Sequence, residues 1–256
     1  MRVTLTALLR DAWQSWRRDW EVLVGVAGPF VFLPALALLL LVPDAPVVPA
    51  GADPAVPASF GKYPEAMADW LLTYGPWIIA AQFVSIYGQF AMVGLYLSDA
   101  QANVGTALLA ALRRLPSLML ALIIVAIPTT LVAAFFVVAP VLLPGAMIAV
   151  VLITARALLV MPVLHAESPI GAFAAVIRSL RATHGSTLML ATTVLTIYLA
   201  IHLLSWPFFA LDHWLVKEPN PVARTVFDSV QAAMFALAAI TMALVQVAAY
   251  RRLSSR

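Results

Sequence analysis

Residues 117–165, SLMLALIIVAIPTTLVAAFFVVAPVLLPGAMIAVVLITARALLVMPVLH, decide the fold class, because Arg156 is the only Asp, Glu, Lys or Arg among them. As one helix this stretch would be roughly 70 Å long, more than twice the ~30 Å hydrocarbon core of a bilayer. Pro140, Pro144 and Gly145 lie near its middle, where a tight turn is needed. The stretch therefore predicts two membrane spans joined by a short hairpin.

The rest of the chain has the same character, with 63% hydrophobic and 11% charged residues over its 256 positions. A soluble domain carries about 45–50% apolar and about 25% charged residues. No polar segment is long enough for a separate aqueous domain, so residues 1–256 are predicted to be a single integral membrane domain. The fold class is all-α, a polytopic membrane helix bundle, and its spans are predicted at 22–42, 70–97, 117–139, 143–165, 187–209 and 225–249.

The positively charged residues are distributed unevenly between the two predicted sides of the membrane. One side carries Lys62, Lys217 and Arg224, and the other carries eleven arginines. Lys and Arg favour the cytoplasmic side of membrane proteins. Both termini and the segments 98–116 and 166–186 are therefore predicted to be cytoplasmic.

Each cytoplasmic segment contains an amphipathic stretch with basic residues on its polar face. The stretches are TALLRDAWQSWRRDW, TALLAALRRLPSLML and GAFAAVIRSLRATHG, and each precedes two spans. The fold is thus predicted to be three parallel repeats of an amphipathic helix plus a transmembrane hairpin. Such helices lie in the membrane interface or pack on the inner surface of the bundle, and the two interpretations are compatible. The candidate anionic-lipid contacts are Arg10, Arg17, Arg113, Arg114, Arg178 and Arg181.

Polar residues inside the spans form a second candidate site. Arg156 is predicted near 13 Å from the cytoplasmic end of its span, a depth at which a charge needs a partner or a wet cavity. Gln82 and Gln89 share one face of the second span. The alternatives are a pathway or headgroup contact involving these three residues, or hydrogen bonds that hold the spans together.

The segment RALLVMPVLHAESPIGAFAAVIRSLRATHG, residues 156–185, resembles a poorly characterised bacterial inner-membrane family. That family is similar to the membrane domain attached to some glycerophosphodiester phosphodiesterases. The phosphodiesterase catalytic domain has no counterpart here, so the resemblance implies a bacterial inner-membrane location and a six-span topology but no hydrolase activity. The positions that match are Arg156, Pro162, Glu167, Pro169, Arg178, Ser179 and Gly185. Within the same segment, Ser168 and Pro169 predict the start of the third amphipathic helix and Gly185 its stop.

Three functions are consistent with these features. The first is a non-enzymatic protein that organises anionic lipid or a membrane partner through its cytoplasmic helices. The alternative is a transporter or channel for a small molecule or lipid, with Arg156, Gln82 and Gln89 in its pathway. The third is a lipid-acting enzyme, which would depend on Glu167 and His165. The chain has no cysteine and no HExxH, P-loop or dinucleotide motif, so no metal, cofactor or nucleic acid is predicted. The sequence does not indicate an oligomeric state.

Overall fold

The computed structural model describes residues 4–49, 51, 57–98, 103–138, 143–167, 169–215 and 220–254. Every long element in these ranges is a helix. The chain begins with α1 (Leu5–Ala27), a π-helical turn (Gly28–Phe32) and α2 (Leu33–Leu41), and a short 3₁₀ turn (Pro57–Phe60) precedes α3. The remaining helices are α3 (Tyr63–Leu97), α4 (Val104–Val138), α5 (Leu143–Ala157), α6 (Val160–Ala166), α7 (Ala172–Ala182), α8 (Thr187–Leu215) and α9 (Pro221–Ser254).

Six helical segments among the described residues are long and apolar enough to cross a membrane. Each overlaps one of the six predicted spans, so the prediction of an all-α polytopic membrane bundle is confirmed. The segments are Leu5–Leu41, Tyr63–Leu97, Val104–Val132, Gly145–Ala166, Thr187–Phe208 and Pro221–Ser254.

The last helix, α9, lies at the centre of the bundle. It contacts α1, α2, α3, α6 and α8. Its buried face includes Ala232, Ala236, Ala239 and Ala243, which follow one another at helical spacing. Small residues at this spacing let neighbouring helix backbones approach closely, which is how helices pack in a bilayer without a hydrophobic driving force.

The first amphipathic stretch and the first span form one continuous helical segment, Leu5–Leu41. The helix kinks at Asp19, whose φ of −122° and ψ of 24° are not helical. The part that follows the kink, residues 20–41, is about 33 Å long, which matches the hydrocarbon core. The kink therefore separates the predicted amphipathic helix from its span without interrupting the helix.

The second amphipathic stretch is not a separate helix, contrary to the prediction. It is the first part of α4, which runs through Pro116 without a break. The reason is a buried stripe that continues across the proline, formed by Ala107, Ala111, Leu118 and Ala121. Its packing favours one continuous helix, although Pro116 cannot donate a backbone hydrogen bond.

The third amphipathic stretch is a separate helix, α7, but it begins later than predicted. Gly171 is its N-cap residue and no side chain caps it. Pro169 therefore precedes the helix by three positions, and Ser168 lies outside the described residues. Gly185 fulfils its predicted role, since it has a φ of +81° in the turn that follows α7.

The fourth span is broken, which the sequence interpretation did not anticipate. It divides into α5 and α6 at residues 158–159. Pro162 explains the break, because its ring would clash with the carbonyl of Leu158 and it has no N–H to donate to that carbonyl. Arg156 consequently lies in the last turn of α5.

Two turns predicted on the side opposite the cytoplasmic segments are also shorter than expected. Pro144 and Gly145 belong to the first turn of α5, not to a loop, and Pro140 lies outside the described residues. The predicted loop 210–223 is largely helical, since α8 extends to Leu215 and α9 begins at Pro221.

Candidate functional site

Side-chain contacts join the start of α1, the end of α3, the α6–α7 region and the end of α9 at one end of the bundle, which we call the basic end. The Tyr96 hydroxyl donates to Asp19 Oδ2 at 2.9 Å. Arg252 Nε donates to Asp11 Oδ2 at 2.6 Å and links the two terminal helices. Tyr250 of α9 also contacts Glu167, and Arg114 of segment 98–116 contacts the end of α6. The four segments predicted to share one side of the membrane therefore meet in space.

Three arginines at this end donate to the carbonyls of helix C-termini. Arg114 Nη1 donates to the carbonyls of Leu164 and His165 at 2.9 and 2.6 Å, at the end of α6. Arg251 Nη2 donates to the carbonyl of Tyr96 at 2.5 Å, near the end of α3. The last carbonyls of a helix lack partners within it and carry partial negative charge. These arginines therefore satisfy and neutralise helix ends.

The third of these arginines is Arg156. Its Nη2 donates to the carbonyl of Leu180 at 3.1 Å, in the last turn of α7. Ser179 Oγ donates to the Arg156 carbonyl at 2.7 Å, which is left free by the break between α5 and α6. Ser179 and Thr183 are fully buried beside it. Arg156 of α5 thus donates to α7 and accepts from α7. Its Nε remains buried without a hydrogen-bond partner among the described residues.

Glu167 lies at the end of α6 and binds two helices. Arg178 Nε donates to its carboxylate at 3.1 Å, and the Tyr250 hydroxyl donates to Oε1 at 3.3 Å. These bonds tie α7 and α9 to the end of the fourth span. Of the positions that carry the family resemblance, Arg156, Glu167, Arg178 and Ser179 thus lie in one group of contacts around α7.

His165 has a different environment from Glu167. Its Nε2 is 3.1 Å from the Phe90 carbonyl, and its ring centroid is 4.2 Å from that of Phe90. The ring fills the space above Gly94, where a Cβ atom would lie 2.6 Å from Nε2. His165 therefore packs α6 onto α3.

Four of the six arginines predicted to contact lipid are exposed and have no ion pair among the described residues: Arg10, Arg17, Arg113 and Arg181. The other two are engaged, because Arg114 caps α6 and Arg178 binds Glu167. The helices that carry these arginines also carry exposed apolar side chains, namely Trp13, Trp20, Leu109, Leu112 and Phe173.

On α1 these two kinds of side chain alternate along one exposed face. Arg10, Trp13 and Arg17 are spaced by three or four residues, so they lie one above another, and Trp20 follows directly after the kink at Asp19. Trp13 and Trp20 are 59% and 52% exposed. The predicted apolar stripe is therefore divided: Leu8 and other residues pack inward, and the two tryptophans face outward beside the arginines.

A cavity of about 810 Å³ also lies at the basic end, between the kink of α1, the end of α3 and the start of α4. Its charged lining consists of Arg18, Asp19 and Arg251 among the described residues. Arg18 forms an ion pair with Asp19 at 2.9 Å. The described lining therefore carries one net positive charge, that of Arg251, whereas the exposed face of α1 carries both Arg10 and Arg17.

A separate cavity of about 450 Å³ lies within the bundle, between α2, α3, α8 and α9. Gln82, Ser85 and Gln89 line it from α3, and the described residues around it include no charged side chain. Arg156 is not part of this lining, since it binds α7. The structure therefore does not bring Arg156 together with Gln82 and Gln89, contrary to the predicted single polar site.

The sequence interpretation missed two buried polar residues on α9. Asp228 and Gln231 are each 6% exposed and lie toward the start of the helix. Gln246, nearer the end of the helix, is 8% exposed, and its Oε1 is buried without a hydrogen-bond partner among the described residues. The missed residues follow the 3–4 spacing of one helix face, which was the signal available to find them.

Together, the long apolar helices and the charged residues at one end define a polytopic helical membrane protein. No protein-family model matches the chain, and neither does any curated protein or solved structure. The resemblance to the membrane domain of some glycerophosphodiester phosphodiesterases therefore stays a prediction. Within the part of the chain that the structure describes, no three His, Asp or Glu side chains are grouped so that they could hold a metal ion.

Proposed function

We propose that this protein binds anionic phospholipid through the exposed arginines of its basic end, at the cytoplasmic face of a bacterial inner membrane, without catalysing a reaction. The observation that carries the proposal is the exposed face of α1, on which arginines and tryptophans alternate. Tryptophan rings favour the headgroup level of a bilayer, and arginines beside them attract anionic headgroups.

The arginines of the basic end fall into two groups, those with partners in the protein and those without, and this difference supports the same function. Arg114, Arg156 and Arg251 donate to helix ends, and Arg178 binds Glu167. Arg10, Arg17, Arg113 and Arg181 have no such partner among the residues that the structure describes, so their charges are free to meet lipid. Each arginine near an anionic surface contributes about 1 kcal/mol, less at high salt.

The proposed membrane orientation follows from the same residues. The basic end would face the cytoplasm, where the surface potential is negative, and both chain termini would lie there. Among the described residues, which do not include Lys217, the exposed cations of the opposite end are Lys62 and Arg224, and Arg224 Nη2 lies 3.7 Å from Asp44 Oδ2. The opposite end therefore offers much less positive charge to a lipid surface.

The experiment compares lipid retention by matched variants. The protein is reconstituted in nanodiscs of phosphatidylglycerol and phosphatidylethanolamine, partly delipidated, and analysed by native mass spectrometry. We expect Arg10→Gln/Arg17→Gln to lose bound phosphatidylglycerol, and the control Lys62→Gln/Arg224→Gln, with the same loss of charge, to retain it. Equal retention in both variants would contradict the proposal.

A further inference from the structure

The cavity between α2, α3, α8 and α9 contains polar groups that the protein itself does not satisfy. Gln82, Ser85 and Gln89 make no side-chain hydrogen bond to any described residue. Their spacing places them on one face of α3. In hydrocarbon an unsatisfied amide is costly, and interhelical partners usually relieve it. Here the amides border an open volume.

The depth of these groups determines where a ligand must come from. Gln82 and Gln89 lie 15 and 8 residues before the end of α3 at Leu97, which is about 22 and 12 Å along the helix. Gln82 is exposed, and so is Tyr198, which lines the cavity from α8. The cavity therefore opens sideways at the level of the hydrocarbon core, so its ligand enters from the membrane.

The lining of the cavity restricts the chemistry of that ligand. Apart from the polar residues of α3 and Tyr198, it consists of aliphatic and aromatic side chains such as Leu38, Phe235 and Met242. No charged residue among those described could offset the charge of an ionic ligand. A volume of about 450 Å³ falls in the range of small-molecule sites, which are largely apolar with a few placed polar groups.

The face of α9 that borders the cavity carries a polar residue on each side of the cavity along the helix. Phe235, Ala238 and Met242 line the cavity, and Gln231 and Gln246 lie four residues before and after them on the same face. Both glutamines are buried. Polar residues buried in a membrane protein face the interior of the bundle and mark ligand sites and pathways.

We propose that this cavity binds a neutral membrane lipid whose apolar chain occupies the aliphatic part and whose hydroxyl or ester group bonds to Gln82 and Gln89. This site is independent of the anionic-lipid contacts at the basic end, which lie on other helices and use charge. A diacylglycerol has the required combination of acyl chains, ester groups and a free hydroxyl.

The test uses a diacylglycerol with a diazirine in one acyl chain, together with a phosphatidylglycerol that carries the same labelled chain. After reconstitution in nanodiscs and illumination, the labelled peptides are identified by mass spectrometry. We expect the diacylglycerol probe to label the cavity segments of α3, α8 and α9, and the phosphatidylglycerol probe to label them much less.

Two variants and one control make the result specific. Gln82→Leu/Gln89→Leu should lower cavity labelling at least about 3-fold, which corresponds to a single membrane hydrogen bond of ~0.6 kcal/mol. Ala238→Trp keeps both glutamines but fills the cavity, so it should also remove the labelling. Gln14→Leu, a glutamine on the exposed surface of α1, should have no effect.

Equal labelling of the cavity by the two probes would overturn the proposal, because it would show that the cavity accepts an acyl chain whatever its headgroup. Labelling unchanged by both cavity variants would overturn it too, as would the absence of cavity labelling in the unaltered protein. A variant that does not fold leaves the other to decide. Neither result affects the anionic-lipid proposal, whose variants alter arginines only.

Discussion

Replacement of Arg114 tests whether arginines at the basic end stabilise the fold by capping helices. Arg114 Nη1 donates to two carbonyls at the end of α6, those of Leu164 and His165. A hydrogen bond from a charged group contributes about 1.5–3 kcal/mol in soluble proteins, and a bond within a membrane about 0.6–1.7 kcal/mol. Since this group is partly buried at the membrane boundary, the loss of two bonds in Arg114→Gln should cost about 2–3 kcal/mol.

Arg113 provides a matched control, because it is the neighbouring residue and carries the same charge. It is exposed and makes no hydrogen bond or ion pair with the described residues. Arg113→Gln should therefore change the free energy of unfolding by less than about 0.5 kcal/mol. The assay is equilibrium unfolding in mixed detergent micelles, followed by circular dichroism. If the two variants were destabilised equally, the capping argument would be refuted.

Two further predictions concern packing and topology. Gly94→Ala should destabilise the protein by about 1–3 kcal/mol, because its Cβ would lie 2.6 Å from His165 Nε2. In a double-mutant cycle, part of that loss should disappear when His165→Ala is already present, and full additivity would contradict the packing argument. The chain has no cysteine, so Lys62→Cys and Gln14→Cys give clean labelling sites. A membrane-impermeant maleimide should label Lys62→Cys on intact cells but Gln14→Cys only after permeabilisation, and the reverse result would invert the proposed orientation.

Much of the architecture could be predicted because membrane spans are recognisable from local composition alone. Residues 117–165 are too long for one crossing, so two spans followed from length. The ends of the helices were less predictable. Ser168 and Pro169 resemble a helix start, but α7 begins at Ala172. Pro116 resembles a break, but the buried stripe on either side of it keeps α4 continuous.

The residues of the candidate sites could be predicted from the sequence, but the groups that they contact could not. Arg156 was recognised as a charge that needs a partner, and the structure supplies the carbonyl of Leu180. That contact depends on the break between α5 and α6, which Pro162 causes. The sequence interpretation treated these two helices as one unbroken span. Arg113 and Arg114 are indistinguishable in the sequence, since only tertiary packing brings α6 within reach of one of them.

The buried polar residues of α9 show a different limit. Gln231 and Asp228 belong to a helix whose composition already identified it as a span, so their individual burial was not considered. Their position became informative only when α9 proved to be the central helix, in contact with α1, α2, α3, α6 and α8. A polar residue on a peripheral span would face lipid or one neighbour, whereas on a central helix it faces the interior.

The central claim is that exposed arginines of the basic end select anionic lipid. Electron paramagnetic resonance with spin-labelled lipids measures it most directly, as the ratio of motionally restricted phosphatidylglycerol to phosphatidylcholine around the reconstituted protein. We predict a ratio above 1 for the unaltered protein, which falls with added salt and approaches 1 in Arg10→Gln/Arg17→Gln/Arg113→Gln/Arg181→Gln. The same ratio in the two proteins would contradict the claim.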